Sequence, residues 1–152
     1  MQTLLGTYEA KVDAKGRFMF PSPFKNQMKE EVQKGFVIKR SIFKKCLELF
    51  PKDNWQSESA MVFKLNMFKK KNADFATKFM AGVKPVELDG AGRLLIPKDL
   101  QKYGGISKEI VLISVANRIE IWDTVAYESA VDFDPDEFAT LAEEVMGDLE
   151  TE

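Results

Sequence analysis

Asp13-Ala14-Lys15-Gly16-Arg17-Phe18-Met19-Phe20-Pro21 returns later in the chain as Asp89-Gly90-Ala91-Gly92-Arg93-Leu94-Leu95-Ile96-Pro97. Asp, Gly, Arg and Pro each recur at an offset of 76 residues, and an apolar triplet fills the same places in both copies. One copy reads as a turn. The Asp carboxylate accepts backbone N–H groups just ahead of it, and Gly supplies a positive φ. The stretch before it alternates: Tyr8, Ala10 and Val12 point one way, Thr7, Glu9 and Lys11 the other, as in a half-buried strand. Arg17-Phe18-Met19-Phe20 after the turn reads as a short strand buried on both faces. Each copy is therefore a predicted hairpin with a basic tip.

The segments after the two hairpins also match. Pro21-Ser22-Pro23 opens a helix over 23–33, with Phe24, Met28 and Val32 on one face and Gly35 at its end. Pro97 opens a shorter one that reaches Tyr103 and stops at Gly104-Gly105. Phe36-Val37-Ile38 aligns with Val111-Leu112-Ile113, and Leu47-Glu48-Leu49-Phe50 with Ile119-Glu120-Ile121-Trp122; Trp55 finds a counterpart in Tyr127. Val83 to Leu88 reads as an edge strand, because Pro85 cannot donate to a ladder. One long or two shorter helices span 54–80, with Trp55, Val62, Leu65 and Phe68 on one face. Two more helices fill 124–131 and the segment after the cap residue Asp134.

The expected fold class is α+β: two pseudo-symmetric ββαββ halves that interleave their hairpins into one swapped β-barrel with flanking helices. The expected division is 1–53 for the first repeat, 54–80 for connecting helices, 81–123 for the second repeat and 124–152 for acidic C-terminal helices.

Composition narrows the function. The 152 residues contain no histidine and one cysteine, Cys46. That removes Ser-His-Asp and Cys-His catalysis, zinc-histidine sites and disulfides. No enzyme activity, metal, cofactor or small-molecule substrate is expected. No apolar run approaches the roughly 18 residues of a membrane span. Net charge is −2 but segregated: residues 1–80 hold 16 basic and 8 acidic residues, residues 81–152 hold 6 and 16. From Asp123 onward there are eleven acidic residues and no basic one. Such asymmetry points to nucleic-acid contact and lets the basic half of one subunit meet the acidic half of another.

An arginine repeated at two tips has two readings. It shapes the loop, held by the neighbouring aspartate, or it reads a guanine edge from a two-stranded ribbon in the DNA major groove while Lys15 meets a phosphate. Retention of Gly-Arg in both copies, where most other positions differ, favours the second.

These residues carry a resemblance. Asp13…Gly16-Arg17 with Pro21, Asp89…Gly92-Arg93 with Pro97, and the helices between resemble the MraZ family over nearly the whole length. That family comprises bacterial regulators built from two AbrB/SpoVT-type swapped-hairpin halves. The resemblance implies a cytoplasmic, nucleoid-associated regulator of the division and cell-wall gene cluster. It implies binding of double-stranded promoter DNA at short direct repeats and assembly into homo-oligomeric rings. By position it places DNA contact on Lys15, Gly16, Arg17, Gly92 and Arg93, with Asp13 and Asp89 shaping the loops. Ala91 departs from the family's polar residue, so the second tip is expected to grip DNA less well than the first. The alternative is a protein-binding AbrB-fold module, antitoxin-like or a structural ring, without specific DNA recognition.

Overall fold

A computed structural model describes residues 3–151. The first half contains β1 (Thr7–Lys11), β2 (Arg17–Met19), α1 (Ser22–Gln27), α2 (Lys29–Lys34), β3 (Phe36–Arg40) and β4 (Leu47–Pro51). Helices α3 (Lys52–Phe63) and α4 (Lys70–Met80) come next. The second half contains β5 (Lys84–Val86), β6 (Arg93–Leu95), α5 (Lys98–Tyr103), β7 (Glu109–Val115) and β8 (Arg118–Asp123). Helices α6 (Thr124–Val131) and α7 (Pro135–Thr151) complete it.

The strands form an antiparallel six-stranded sheet, β1-β7-β8-β4-β3-β5, and a two-stranded ribbon, β2-β6. Exchange every first-half strand for its second-half counterpart, and the sheet order reads back reversed but unchanged. The halves are thus related by a pseudo-twofold, and they are swapped: β1 pairs with β7, and β5 with β3. The axis runs where equivalent residues face each other. In the ribbon that is Phe18 opposite Leu94; in the sheet it is Glu48 opposite Glu120.

Two like charges opposed on neighbouring strands repel, so both need cations. Lys39 Nζ and Arg118 Nη1 each lie 3.6 Å from Glu48, and Lys44 Nζ lies 2.9 Å from Glu120. Trp122 Nε1 also donates to Glu120 at 2.9 Å. Burial lowers the Lys39 pKa, against the pull of Glu48. Cys46 is buried nearby, and burial, then Glu120 and Glu48, push its thiol up to about 12, which makes it inert at neutral pH.

The main core lies between the sheet and the ribbon. Phe18, Phe20, Phe24, Phe36 and Ile38 come from one half, Leu94, Ile96, Leu100, Ile110 and Leu112 from the other, all at most 1 % exposed. The opposite sheet face is also covered. Trp55 packs edge-on to Phe50 at 5.5 Å and stacks on Phe79 at 5.7 Å, and Tyr127 meets Trp122 at 6.3 Å. The Trp55 and Tyr127 correspondence therefore holds in space.

Several expectations are corrected. The strands do not close into a barrel. The ribbon strands are three residues long and spend their ladder on each other, with one isolated bridge, Val12 to Phe18, back toward β1. The triplets are buried on one face only: Met19 is 53 % and Leu95 50 % exposed. The helix over 23–33 breaks at Met28 (φ −126°, ψ 40°). Phe36 pairs with Val86 as Ile110 pairs with Ala10, so Phe36-Val37-Ile38 corresponds to Ile110-Val111-Leu112, one residue from the alignment read in the sequence. A slip of that size in the strand itself would turn every side chain to the wrong face. Phe68 lies outside both connecting helices and is fully exposed.

Candidate nucleic-acid interface

Both tips are built alike from the backbone upward. Asp13 Oδ1 accepts from the N–H groups of Lys15 and Arg17, and Asp89 Oδ1 from those of Ala91 and Arg93, all at 2.9 Å. Gly16 and Gly92 turn the chain at φ 89° and 83°. Their carbonyls then reach across the twofold: Phe20 N–H donates to Gly92 O at 3.1 Å, and Ile96 N–H to Gly16 O at 2.9 Å. Neither tip is complete without the other half.

Each arginine is held by its own aspartate. Arg17 Nε donates to Asp13 Oδ2 at 2.9 Å, and Arg93 Nε to Asp89 Oδ2 at 3.0 Å. The loop-shaping reading is thus true of both copies, yet it uses only one of the five guanidinium N–H donors. The arginine side chains keep 28 % and 35 % of their surface exposed. Their backbones sit diagonally across the ribbon, since Arg17 faces Leu95 and Arg93 faces Met19. The diagonal of an antiparallel pair spans roughly 7–8 Å. One outward face therefore carries Arg17, Met19, Arg93 and Leu95, while Phe18 and Leu94 point into the core.

The charge on the tips is set by hydrogen bonding. The Arg17 backbone N–H holds the Asp13 carboxyl below its ordinary 3.8, and the Arg93 backbone N–H does the same for Asp89, each reinforced by the arginine side chain. A depressed folded-state pKa contributes stability above the unfolded value and loses it as pH falls through the folded one. The stabilising contribution of these carboxylates is therefore present at neutral pH and is lost as pH falls through their lowered pKa values, below 3.8. Carboxyl-carbon NMR titration should place both midpoints below the ordinary 3.8.

The lysines differ from the sequence picture. Lys15 is exposed at the first tip. At the second, Ala91 occupies that place, but the fold supplies Lys25 from α1 of the other half. Its Nζ lies so close to Gly92 that a β-carbon there would collide with it. Among the described residues this ammonium has no hydrogen-bond or ion-pair partner. The equivalent residue on α5 is Gln101, which sits against Gly16 and donates to Ile96 O at 2.6 Å. Residues 25 and 101 share the 76-residue offset, which is the sequence signal that could have found them; which tip each one serves depends on the swap.

Among the described residues there is no cluster of three or more His, Cys, Asp or Glu placed to hold a metal, and no helix is long and apolar enough to cross a membrane.

The chain is thus an α+β protein of two swapped halves whose two arginine tips share one ribbon face. A family model described as "MraZ protein, putative antitoxin-like" matches it twice, at residues 3–78 and 79–148. Curated relatives include a protein named transcriptional regulator MraZ from Flavobacterium psychrophilum, 53 % identical over 149 residues, covering 98 % of this chain and 95 % of the relative. Another of that name, from Christiangramia forsetii, is 56 % identical over 147 residues, covering 97 % and 95 %. The chain belongs to the MraZ family.

Proposed function

We propose that this protein is a DNA-binding transcriptional regulator, without enzymatic activity, that reads short direct repeats upstream of a division and cell-wall gene cluster. The observation that carries this is the shared outward face of the β2-β6 ribbon, with two aspartate-held arginines across the pseudo-twofold. A two-stranded ribbon fits the major groove, and a guanidinium bonds guanine O6 and N7 bidentately. Holding each arginine through Nε fixes the fork before DNA arrives, which reduces the ordering cost of binding. Exposed Met19 and Leu95 lie where apolar contact with thymine methyl groups is available. Gly16 and Gly92, at positive φ, set the turns that present the two arginines. The names of the relatives support the regulatory part of this reading.

The chain acts as a ring-shaped homo-oligomer in the cytoplasm, associated with the nucleoid. Each copy contributes weak contacts that combine through effective concentration. Residues 1–53 and 81–123 form the reading unit, with 54–80 and 124–152 serving assembly. Lys15 and Lys25 contact phosphates, one at each tip. Replacing Lys25 by Gln should lower the salt slope of binding by about one unit and leave sequence preference unchanged. Fluorescence anisotropy on the DNA upstream of the gene and on a scrambled duplex, across a salt series, measures both. Equal affinity for the two duplexes would defeat the regulatory reading.

A second reading, a protein-binding module, is favoured by the exposed apolar stripe on acidic α7. It predicts that arginine substitutions at the tips leave partner binding unchanged.

A further inference from the structure

Duplication lets the two tips be compared residue by residue. On the shared outward face the arginines match, and the residues opposite them do not: Leu95 faces Arg17, but Met19 faces Arg93. Met19 is more than half exposed. Its sulfur lies 3.6 Å from the point that a β-carbon on Gly92 would take, and Lys25 Nζ crowds the same point. Around Gly16 the corresponding atoms are the Gln101 amide and the Ile96 carbonyl oxygen. The second tip therefore sets a thioether beside an ammonium that has no partner among the described residues. The first tip has neither group.

An exposed thioether is oxidised by peroxides, and the product is polar where the parent is apolar. The other sulfur chemistry of the chain is closed off. Cys46 is buried, and its thiol, pushed up to about 12, supplies no thiolate at neutral pH. Leu95, which fills the equivalent place at the first tip, cannot be oxidised in this way. Met19 thus makes one tip of the pair sensitive to an oxidant and leaves the other insensitive.

We propose that Met19 is a reversible oxidation site, whose sulfoxide captures the Lys25 ammonium and weakens DNA binding at the second tip. The step is a two-electron oxygen transfer from hydrogen peroxide. A sulfur lone pair attacks one peroxide oxygen, the S–O bond forms and the O–O bond breaks. The departing hydroxide takes the proton of the transferred oxygen and leaves as water. A dithiol reverses the step: the sulfoxide oxygen leaves as water and the two thiols close to a disulfide. The sulfoxide oxygen is a strong acceptor, and Lys25 brings three N–H donors. Their hydrogen bond takes a cation off the phosphates, and the polar group displaces an apolar contact from the thymine edge. Bound DNA covers this face, so oxidation belongs to the free protein. The proposal rests on the reading that the ribbon face binds DNA and adds a regulation to it.

The test treats the full chain with hydrogen peroxide and reads each methionine by mass spectrometry. Trypsin releases residues 18–25 as one peptide, in which Met19 is the only methionine. Fluorescence anisotropy on the upstream and scrambled duplexes, across a salt series, then compares each treated protein with its own untreated form. Treated wild type should bind the upstream duplex about tenfold more weakly, with a salt slope lower by about one unit. A dithiol with the reductases for both sulfoxide epimers should restore both values. Treated Met19→Leu should keep its own untreated affinity, although exposed Met61, Met67 and Met146 are oxidised in it too. Treated Lys25→Gln should lose affinity with no further change in slope. DNA present during treatment should slow oxidation of Met19 and leave Met61 unaffected. Circular dichroism should show the same melting before and after treatment, because Met19 lies at the surface.

Untreated wild type that binds both duplexes equally overturns the DNA reading and this proposal together. Full oxidation of Met19 without loss of affinity overturns the proposal and leaves the DNA reading standing. Equal losses in wild type and Met19→Leu also overturn it, since another methionine would then be responsible. So does a loss with an unchanged salt slope, because Lys25 would then be free, and so does a loss that accompanies unfolding. Resistance of Met19 to peroxide while Met61 reacts overturns it as well.

Discussion

Alanine at Arg17 and Arg93 together should remove specific DNA binding while leaving the fold intact. Each substitution is expected to cost about 1–3 kcal/mol. Because the two backbones stand only roughly 7–8 Å apart across the ribbon, the two losses will not simply add. The loss has two sources. The guanine edge loses its fork, and Asp13 or Asp89 is left as an uncompensated carboxylate facing phosphates. Arg→Lys at both sites separates these: charge is retained, the planar fork is lost, and non-specific affinity should survive while preference for the upstream sequence goes. Melting temperature should barely move, because both side chains are partly exposed. A doubly substituted protein that still prefers the upstream duplex over a scrambled one would remove the central claim. Sequence ranks Arg17 above Arg93, since Ala91 stands where the first tip has Lys15. Lys25 at the second tip removes the ground for that ranking, so the single substitutions should differ by less than about 1 kcal/mol.

Phe20→Ala should produce the largest loss of stability, about 3–5 kcal/mol against a total of roughly 5–15. Phe20 is fully buried, with ring centroids 5.5 Å from Phe36 and 6.0 Å from Phe24, at the junction where the first half meets the ribbon. Its neighbour Met19 is 53 % exposed. Met19→Ala should stay within about 0.5 kcal/mol. Urea unfolding measures both, with the midpoint moving at constant slope for Phe20→Ala. Similar midpoints for the two variants would mean that the triplet is buried on both faces after all.

Much of this molecule is legible in its residues. The 76-residue repeat announces two hairpins, and Asp followed by Gly and Arg specifies the bonds that the aspartate makes within each tip, because those bonds are local. Gly35, Pro85 and Asp134 mark a helix end, an edge strand and a cap for the same reason. The residues mislead where partners are distant. Phe36-Val37-Ile38 matches one residue out of place because Ile110, Val111, Leu112 and Ile113 are all apolar, and only the pairing with Ala10 and Val86 resolves the register. Phe68 fits a helical spacing that the Asn66 turn interrupts.

By itself the sequence determined the doubling, the two arginine tips, the segregation of charge and the family. The tertiary structure alone decided that the ribbon stays separate from an open sheet, that Glu48 and Glu120 meet on the axis, and that Lys25 serves the tip of the other half. Short-range order comes from backbone geometry and side-chain chemistry within a few residues. Which half touches which tip is set by the swap of β1 and β5, a pairing between residues far apart in the chain.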